Sequence, residues 1–240
     1  MLKLLKYLFF LLVSIKSFSQ STDWKKDLIE MNKVYYEAGS FKMDVGVYSY
    51  ATIIDSKPIS TYKGKVAHRG ANYYSSMIGR ITLQNKRCVL VVDNPQKMIL
   101  YRKNNTENVN SSKGGFSLAN LDSAMILMGK NVKVEYLVNT KQEKRIQLNY
   151  KEGKISKIEI SINPIDNTIM ELVYYYNTTA DYSNSVAKVI IKYSNVELNK
   201  TISESMFSEN NFISVKKDKI VALKEYQKYQ VVNQSEALKQ

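Results

Sequence analysis

The chain is poor in the residues that catalysis and covalent staples require. Its 240 residues include one cysteine, one histidine and three prolines. A lone cysteine excludes an intrachain disulfide, so the core must hold by packing alone. Cys88 sits in Cys88-Val89-Leu90-Val91-Val92, where its thiol reads as a buried, inert group and not a nucleophile. With one cysteine and one histidine, a Cys/His zinc site cannot be assembled. A nucleophile–histidine pair would have to be built around His68, which falls in His68-Arg69-Gly70 at an expected surface turn, and no Gly-x-Ser-x-Gly elbow occurs. Asp55, Asp93, Asp122, Glu135 and Asp166 are scattered, and no Asp-x-Asp-x-Asp calcium loop is present. Lys113-Gly114-Gly115 lacks the Lys-Ser/Thr that completes a phosphate loop. Two acids brought together by the fold would suffice for a glycosidase, but no spacing picks out a pair. The chain therefore reads as non-enzymatic, with no metal and no cofactor.

Long apolar runs are also missing, apart from one at the start. Lys3 and Lys6 precede an apolar stretch at 7–15, and Ser17-Phe18-Ser19 offers small residues where a signal peptidase reads. The stretch is shorter than the roughly 20 residues that a spanning helix needs. Residues 1–19 are expected to be a signal peptide cleaved before Gln20, the alternative being a retained anchor. No cysteine near that point supplies a lipobox. The expected mature protein, 20–240, is one exported, periplasmic domain. About 220 residues suffice to bury roughly 70% of the unfolded surface.

Charge is plentiful and one-sided. The net formal charge is +13, or +10 once Lys3, Lys6 and Lys16 are removed. Such a surface favours anionic partners: a membrane surface, lipopolysaccharide, nucleic acid or an acidic envelope protein. The lysines fall at alternate strand positions and form no single block, as expected of a solvated sheet face. Tyr73-Tyr74 and Tyr174-Tyr175-Tyr176 could stack bases, but neighbouring strand residues face opposite ways and an exported protein seldom meets nucleic acid, so nucleic acid is not expected as a partner.

Period-two alternation dominates. Ile146, Leu148 and Tyr150 alternate with Arg145, Gln147 and Asn149; after Lys151-Glu152-Gly153-Lys154, where Gly153 suits a tight turn, Ile158, Ile160 and Ile162 alternate with Lys157, Glu159 and Ser161. Beyond the turn at 163–167, Met170, Leu172, Tyr174 and Tyr176 alternate with Glu171, Val173 and Tyr175. Phe41, Met43, Val45 and Val47 mark a long strand at 41–52. Further strands are expected at 60–67, 72–78, 87–92, 97–101, 132–138 and 186–193, with another at 195–198. Spacing this close leaves no room for crossover helices, so the sheet should be antiparallel, greasy on one face and wet on the other. Two helices punctuate it. Ser21 or Thr22 can cap the first, whose Trp24, Leu28, Met31 and Tyr35 form one apolar stripe. Leu118, Leu121, Met125 and Met128 stripe the second, after a polar loop at 104–115. The tail at 213–234 fits either a basic helix or a hairpin turning at Lys216-Lys217-Asp218-Lys219, and Val215, Val231 and Val232 favour strands.

This order of elements resembles the periplasmic lipoprotein carrier LolA and its LolB-like relatives. The resemblance rests on Gly64-Lys65-Val66 with Asn72-Tyr73-Tyr74, on 89–93 with Met98-Ile99-Leu100-Tyr101, and on 190–199 leading to Phe207. It implies an α+β, mainly β fold: a curved antiparallel sheet forming a half-open barrel, covered by an N-terminal helix and a short central helix. It also implies an apolar cavity for acyl chains lined by Met43, Val45, Val47, Ile146, Leu148, Ile158, Ile160, Leu172 and Tyr174, with Leu121, Met125 and Met128 in the lid. Where such carriers place a lid-locking arginine, this chain has Tyr74. The function implied is a non-enzymatic carrier or binding protein for lipid or acylated protein. The alternative is an assembly subunit of an envelope machine with the same fold and a filled core.

Overall fold

A computed structural model describes residues 23–104, 132–177, 185–216 and 219–235. The expected signal segment and the lid residues Leu121, Met125 and Met128 lie outside the described residues.

Helix α1 spans Trp24–Glu37. Asp23 is its N-cap, accepting from the Lys26 amide at 3.2 Å, so the cap falls one residue after Thr22 and two after Ser21. Its stripe buries Leu28, Met31 and Tyr35. The strands that follow are β1 (Ser40–Tyr50), β2 (Ser60–Arg69), β3 (Asn72–Met77), β4 (Arg80–Gln84), β5 (Cys88–Asp93), β6 (Met98–Lys103), β7 (Val132–Asn139), β8 (Lys144–Tyr150), β9 (Ile155–Ile162), β10 (Ile169–Tyr176), β11 (Lys188–Leu198), β12 (Ile213–Lys216), β13 (Lys219–Ala222) and β14 (Gln230–Asn233).

Twelve of them form one curved, open sheet in the order β14-β6-β5-β4-β3-β2-β1-β11-β10-β9-β8-β7. Two antiparallel meanders, β1–β6 and β7–β11, meet where β11 returns beside β1. The tail takes the hairpin alternative: β12 pairs with β13, Lys216 opposite Lys219. One strand departs from the antiparallel expectation, since β14 lies parallel to β6 with Gln230 opposite Met98. Strand β4 is an addition to the strands expected from alternation.

Two bulges correct the pattern read from alternation. The segments expected at 186–193 and 195–198 are one strand, because Asn195 adopts a positive φ of 51° and absorbs an extra residue where the β1–β11 register shifts. In β10 the register shifts between Ile169 and Glu171. Ile169 thereby takes the greasy face, 2% exposed, and Met170 is turned out to 37%.

The sheet has two cores on opposite faces. On the inner face α1 covers Phe41, Met43, Val45, Val47, Val66, Ile146, Leu148, Ile162 and Ile169. Asp27 fixes the helix there, accepting from Tyr136 Oη at 2.6 Å and Lys144 Nζ at 2.7 Å. The outer face is wet only in part. Over β4–β6 it is covered by Phe212, Ile213, Ala222 and Tyr226 against Leu83, Leu90, Ile99 and Tyr101, and over β2 by Ile202 and Phe207 against Ala67. Arg69 Nη1 donates to the Ile202 carbonyl, and Asn85 Nδ2 to the Phe207 carbonyl and to Glu209, which also pairs with Arg87.

Gly64 marks a close approach of β2 and β3. A Cβ there would stand 1.7 Å from the carbonyl oxygen of Ser76 in β3. Gly64→Ala is expected to cost about 3 kcal/mol or more of stability by overpacking a site that only backbone movement can relieve. A denaturant titration in which the alanine variant keeps wild-type stability would contradict this account of the close approach.

Candidate functional site

The inner face is built from lateral rows of apolar side chains, because directly paired residues point the same way. One row runs Val47, Ile191, Leu172, Ile160, Ile146 and Tyr136 across β1, β11, β10, β9, β8 and β7. The next runs Ser49, Val189, Tyr174, Ile158, Leu148 and Val134. All nine residues expected to line a cavity therefore share one face and one apolar cluster, apart from Tyr174, which the register alone places with them.

Their exposure divides them. Met43, Val45, Val47, Ile146 and Leu148 are 0–6% exposed, whereas Ile158, Ile160, Leu172 and Tyr174 are half-buried, as are Val189 and Ile191. The first row is thus sealed at β1 and β8 and less sealed between them. A helix about 10–12 Å across covers only two or three strands spaced about 4.8 Å apart, so α1 alone cannot close this face. Burial pushes the pKa values of both Tyr174 and Tyr193 upward. Tyr35, its pKa pushed up to about 12 chiefly by burial, accepts a hydrogen bond from the Ile169 amide.

The outer face carries a groove of about 920 Å³ over β1, β2 and β8–β11. Its lining includes Asp44, Tyr48, Lys63, Lys65, Arg145, Glu171 and Lys192, none of them among the residues expected to line the cavity or form the lid. Alternation marks them as outward, but only the pairing register brings them together. Tyr74 also faces outward, paired with Ala67, and lines this groove and not the inner face.

The remaining sequence candidates within the described residues are structural, and Asp122 lies outside those residues. His68 lies within β2 and not in an exposed turn; it stacks on Phe41 at 5.4 Å, and its Nδ1 is buried without a partner among the described residues. Burial pushes its pKa down, against a smaller opposite pull from the Gly70 backbone. The Cys88 thiol is fully buried and pushed up to about 12, first by burial and then by Glu209. Asp93 accepts from Arg80 at 2.6 Å and from the Gln96 amide. Asp55 accepts from the Thr52 amide and Asp166 from Thr168, each within a turn. Glu135 accepts from Gln147 and Asn149. Among the described residues no three His, Cys, Asp or Glu side chains are grouped to hold a metal ion, and no helix is long and apolar enough to cross a membrane.

No family model and no curated protein matches the sequence. Among solved structures, the chain is similar to an uncharacterized conserved protein from Thermus thermophilus, at 9% identity and a TM-score of 0.46, covering 87% of this chain and 98% of that one. It is also similar to a LolA superfamily protein from Nitrosomonas europaea, at 11% identity and a TM-score of 0.34, covering 78% and 98%. A third is the lipoprotein LppX from Mycobacterium tuberculosis, at 9% identity and a TM-score of 0.36, covering 74% and 96%.

The half-buried His68 generates a pH dependence. Its folded pKa is depressed below the unfolded value of 6.5, so the unfolded chain binds the extra proton first and stability is lost as pH falls below 6.5. Denaturation curves between pH 7.5 and 5.5, values set about the histidine range, should show this loss in the wild type and not in His68→Phe. Parallel profiles for the two would contradict it.

Proposed function

We propose that the protein is a non-enzymatic carrier or binding protein that takes an acyl chain of a lipid or acylated protein onto the inner face of its sheet, in the periplasm. The observation that carries this reading is the half-buried centre of the inner rows: Ile160 and Leu172 keep accessible surface between Val47 and Ile146, which are sealed, and Ile158 and Tyr174 keep it on the row that is sealed at Leu148. A filled core would seal the centre before the flanks. Met43, Val45, Val47, Ile146 and Leu148 form the floor and the α1 contact, and the four half-buried residues offer the contact for cargo. Leu121, Met125 and Met128 are assigned to the lid on the resemblance alone.

The energetics require no polar recognition. Each buried methylene contributes about 0.8 kcal/mol, so a chain of about a dozen carbons is held by apolar contact alone. Specificity for the rest of the cargo then comes from elsewhere on the molecule.

Native mass spectrometry of protein purified from its own envelope should show a co-purifying lipid or acylated peptide. Titration of delipidated protein with a fluorescent fatty acid should give binding that Leu172→Asp weakens about tenfold or more, since a buried charge opposes the apolar chain. Absence of co-purified lipid together with failure of the fatty acid to bind would contradict the reading and favour an assembly subunit.

A further inference from the structure

The groove on the outer face is a second site, on the side of the sheet away from the proposed acyl chain. Its floor is the lateral row Arg145, Ser161, Glu171, Lys192, Gly46 and Lys63, one residue from each of β8, β9, β10, β11, β1 and β2. At about 4.8 Å per strand the row is about 24 Å long. Gly46 leaves a gap in it, and Tyr48 folds back along β1 to fill that gap: a Cβ at Gly46 would stand 2.9 Å from Tyr48 Cε2 and Oη. The phenol ring therefore lies down on the sheet between Lys63 and Lys192 as a flat plate. Alongside it, Lys65 and Ser194 flank Asp44 in the neighbouring row.

The charges in the groove are unequally satisfied. Glu143 pairs with Arg145 at 2.7 Å, Glu171 with Lys192 at 3.7 Å, and Asp44 accepts from Asn195 at 2.7 Å. Lys63 and Lys65 are exposed and have no partner among the described residues. The groove thus holds three engaged carboxylates and two unspent cations beside an aromatic plate.

We propose that this groove binds a linear, sparsely anionic oligosaccharide, one sugar ring lying on Tyr48 with its acidic group on Lys63 and Lys65. Both donors and acceptors line the row, which suits the mixed hydrogen bonding of sugar hydroxyls. A nucleic-acid strand, with a phosphate at every unit, would set its charges against Asp44, Glu143 and Glu171. An extended peptide gains its affinity by pairing with a free strand edge, but β1 is paired on both sides and offers none. The proposal stands or falls without the acyl site, because it uses the opposite face.

Calorimetric titration of the full chain with a hexasaccharide of alternating glucuronate and N-acetylglucosamine tests it, against neutral chitohexaose. The anionic sugar should bind about tenfold tighter than the neutral one, and more weakly as salt rises from about 0.05 to 0.3 M. The double variant Lys63→Ala/Lys65→Ala and the single variant Tyr48→Ala should each lose about tenfold in affinity. Gly46→Ala, which drives the ring off its seat, should lower affinity while the exposed lysines remain. Thermal melts of the two lysine-to-alanine changes, both at exposed positions, should match the wild type. No binding, equal binding of chitohexaose, variants of unchanged affinity, or tighter binding of an acidic peptide or of oligothymidylate would each overturn the proposal.

Discussion

Strand β1 is pinned along both edges, by β2 on one side and β11 on the other, and that double pairing fixes what every other strand can present. Side chains alternate with a period of two, so the phase of β1 is handed from strand to strand across the ladder. Val47 facing inward places Ile191, Leu172, Ile160 and Ile146 inward; Gly46 facing outward places Lys192, Glu171, Ser161 and Arg145 outward. A slip of one residue would exchange the greasy row for the charged one. The bulges at Asn195 and at 169–170 keep the phase where the chain would otherwise lose it. Asn195 also ties the bulge to β1, its Nδ2 donating to Asp44.

Two faces so different need two covers, and each is incomplete. Helix α1 is held on the inner face by the ion pair and hydrogen bond of Asp27, but it is too narrow for the strands beneath it. The C-terminal layer closes the outer face of β4–β6 and reaches β2 through Ile202 and Phe207, meeting β1 at its first residue, where Ser40 Oγ donates to the Lys200 carbonyl. Buried Glu209, with Asn85 and Arg87, anchors that layer to the β4–β5 turn. The half-sealed inner rows and the outer groove are what the two covers leave.

Much of this was legible in the residues themselves. Alternation through Ile146, Leu148, Ile158, Ile160 and Leu172 announced the inner face, and Trp24, Leu28, Met31 and Tyr35 announced the helix upon it. What escaped depended on partners distant in the chain. Strand β4 shows only Ile81 and Leu83 as its apolar signal, too short a pattern to read without β3 and β5 beside it. The parallel docking of β14 has no local signature, since Val231 and Val232 suit a strand in either direction. His68 read as a turn residue because Gly70 follows, whereas β2 extends to Arg69 and seats the imidazole on Phe41. Met170 read as greasy because a bulge cannot be seen in alternation. The groove was hidden for the same reason: Gly46, Lys63 and Lys192 come from three strands, and only the register sets them side by side.

The central claim is that the middle of the inner face, at β9–β11, receives an acyl chain. Isotope-edited NMR of methyl-labelled protein with carbon-13 palmitate reads this directly. The account predicts intermolecular contacts from the acyl chain to the methyl groups of Ile160, Leu172 and Ile191, and none to Met170 on the other face. Contacts confined to outer-face residues, or their absence at saturating palmitate, would contradict it.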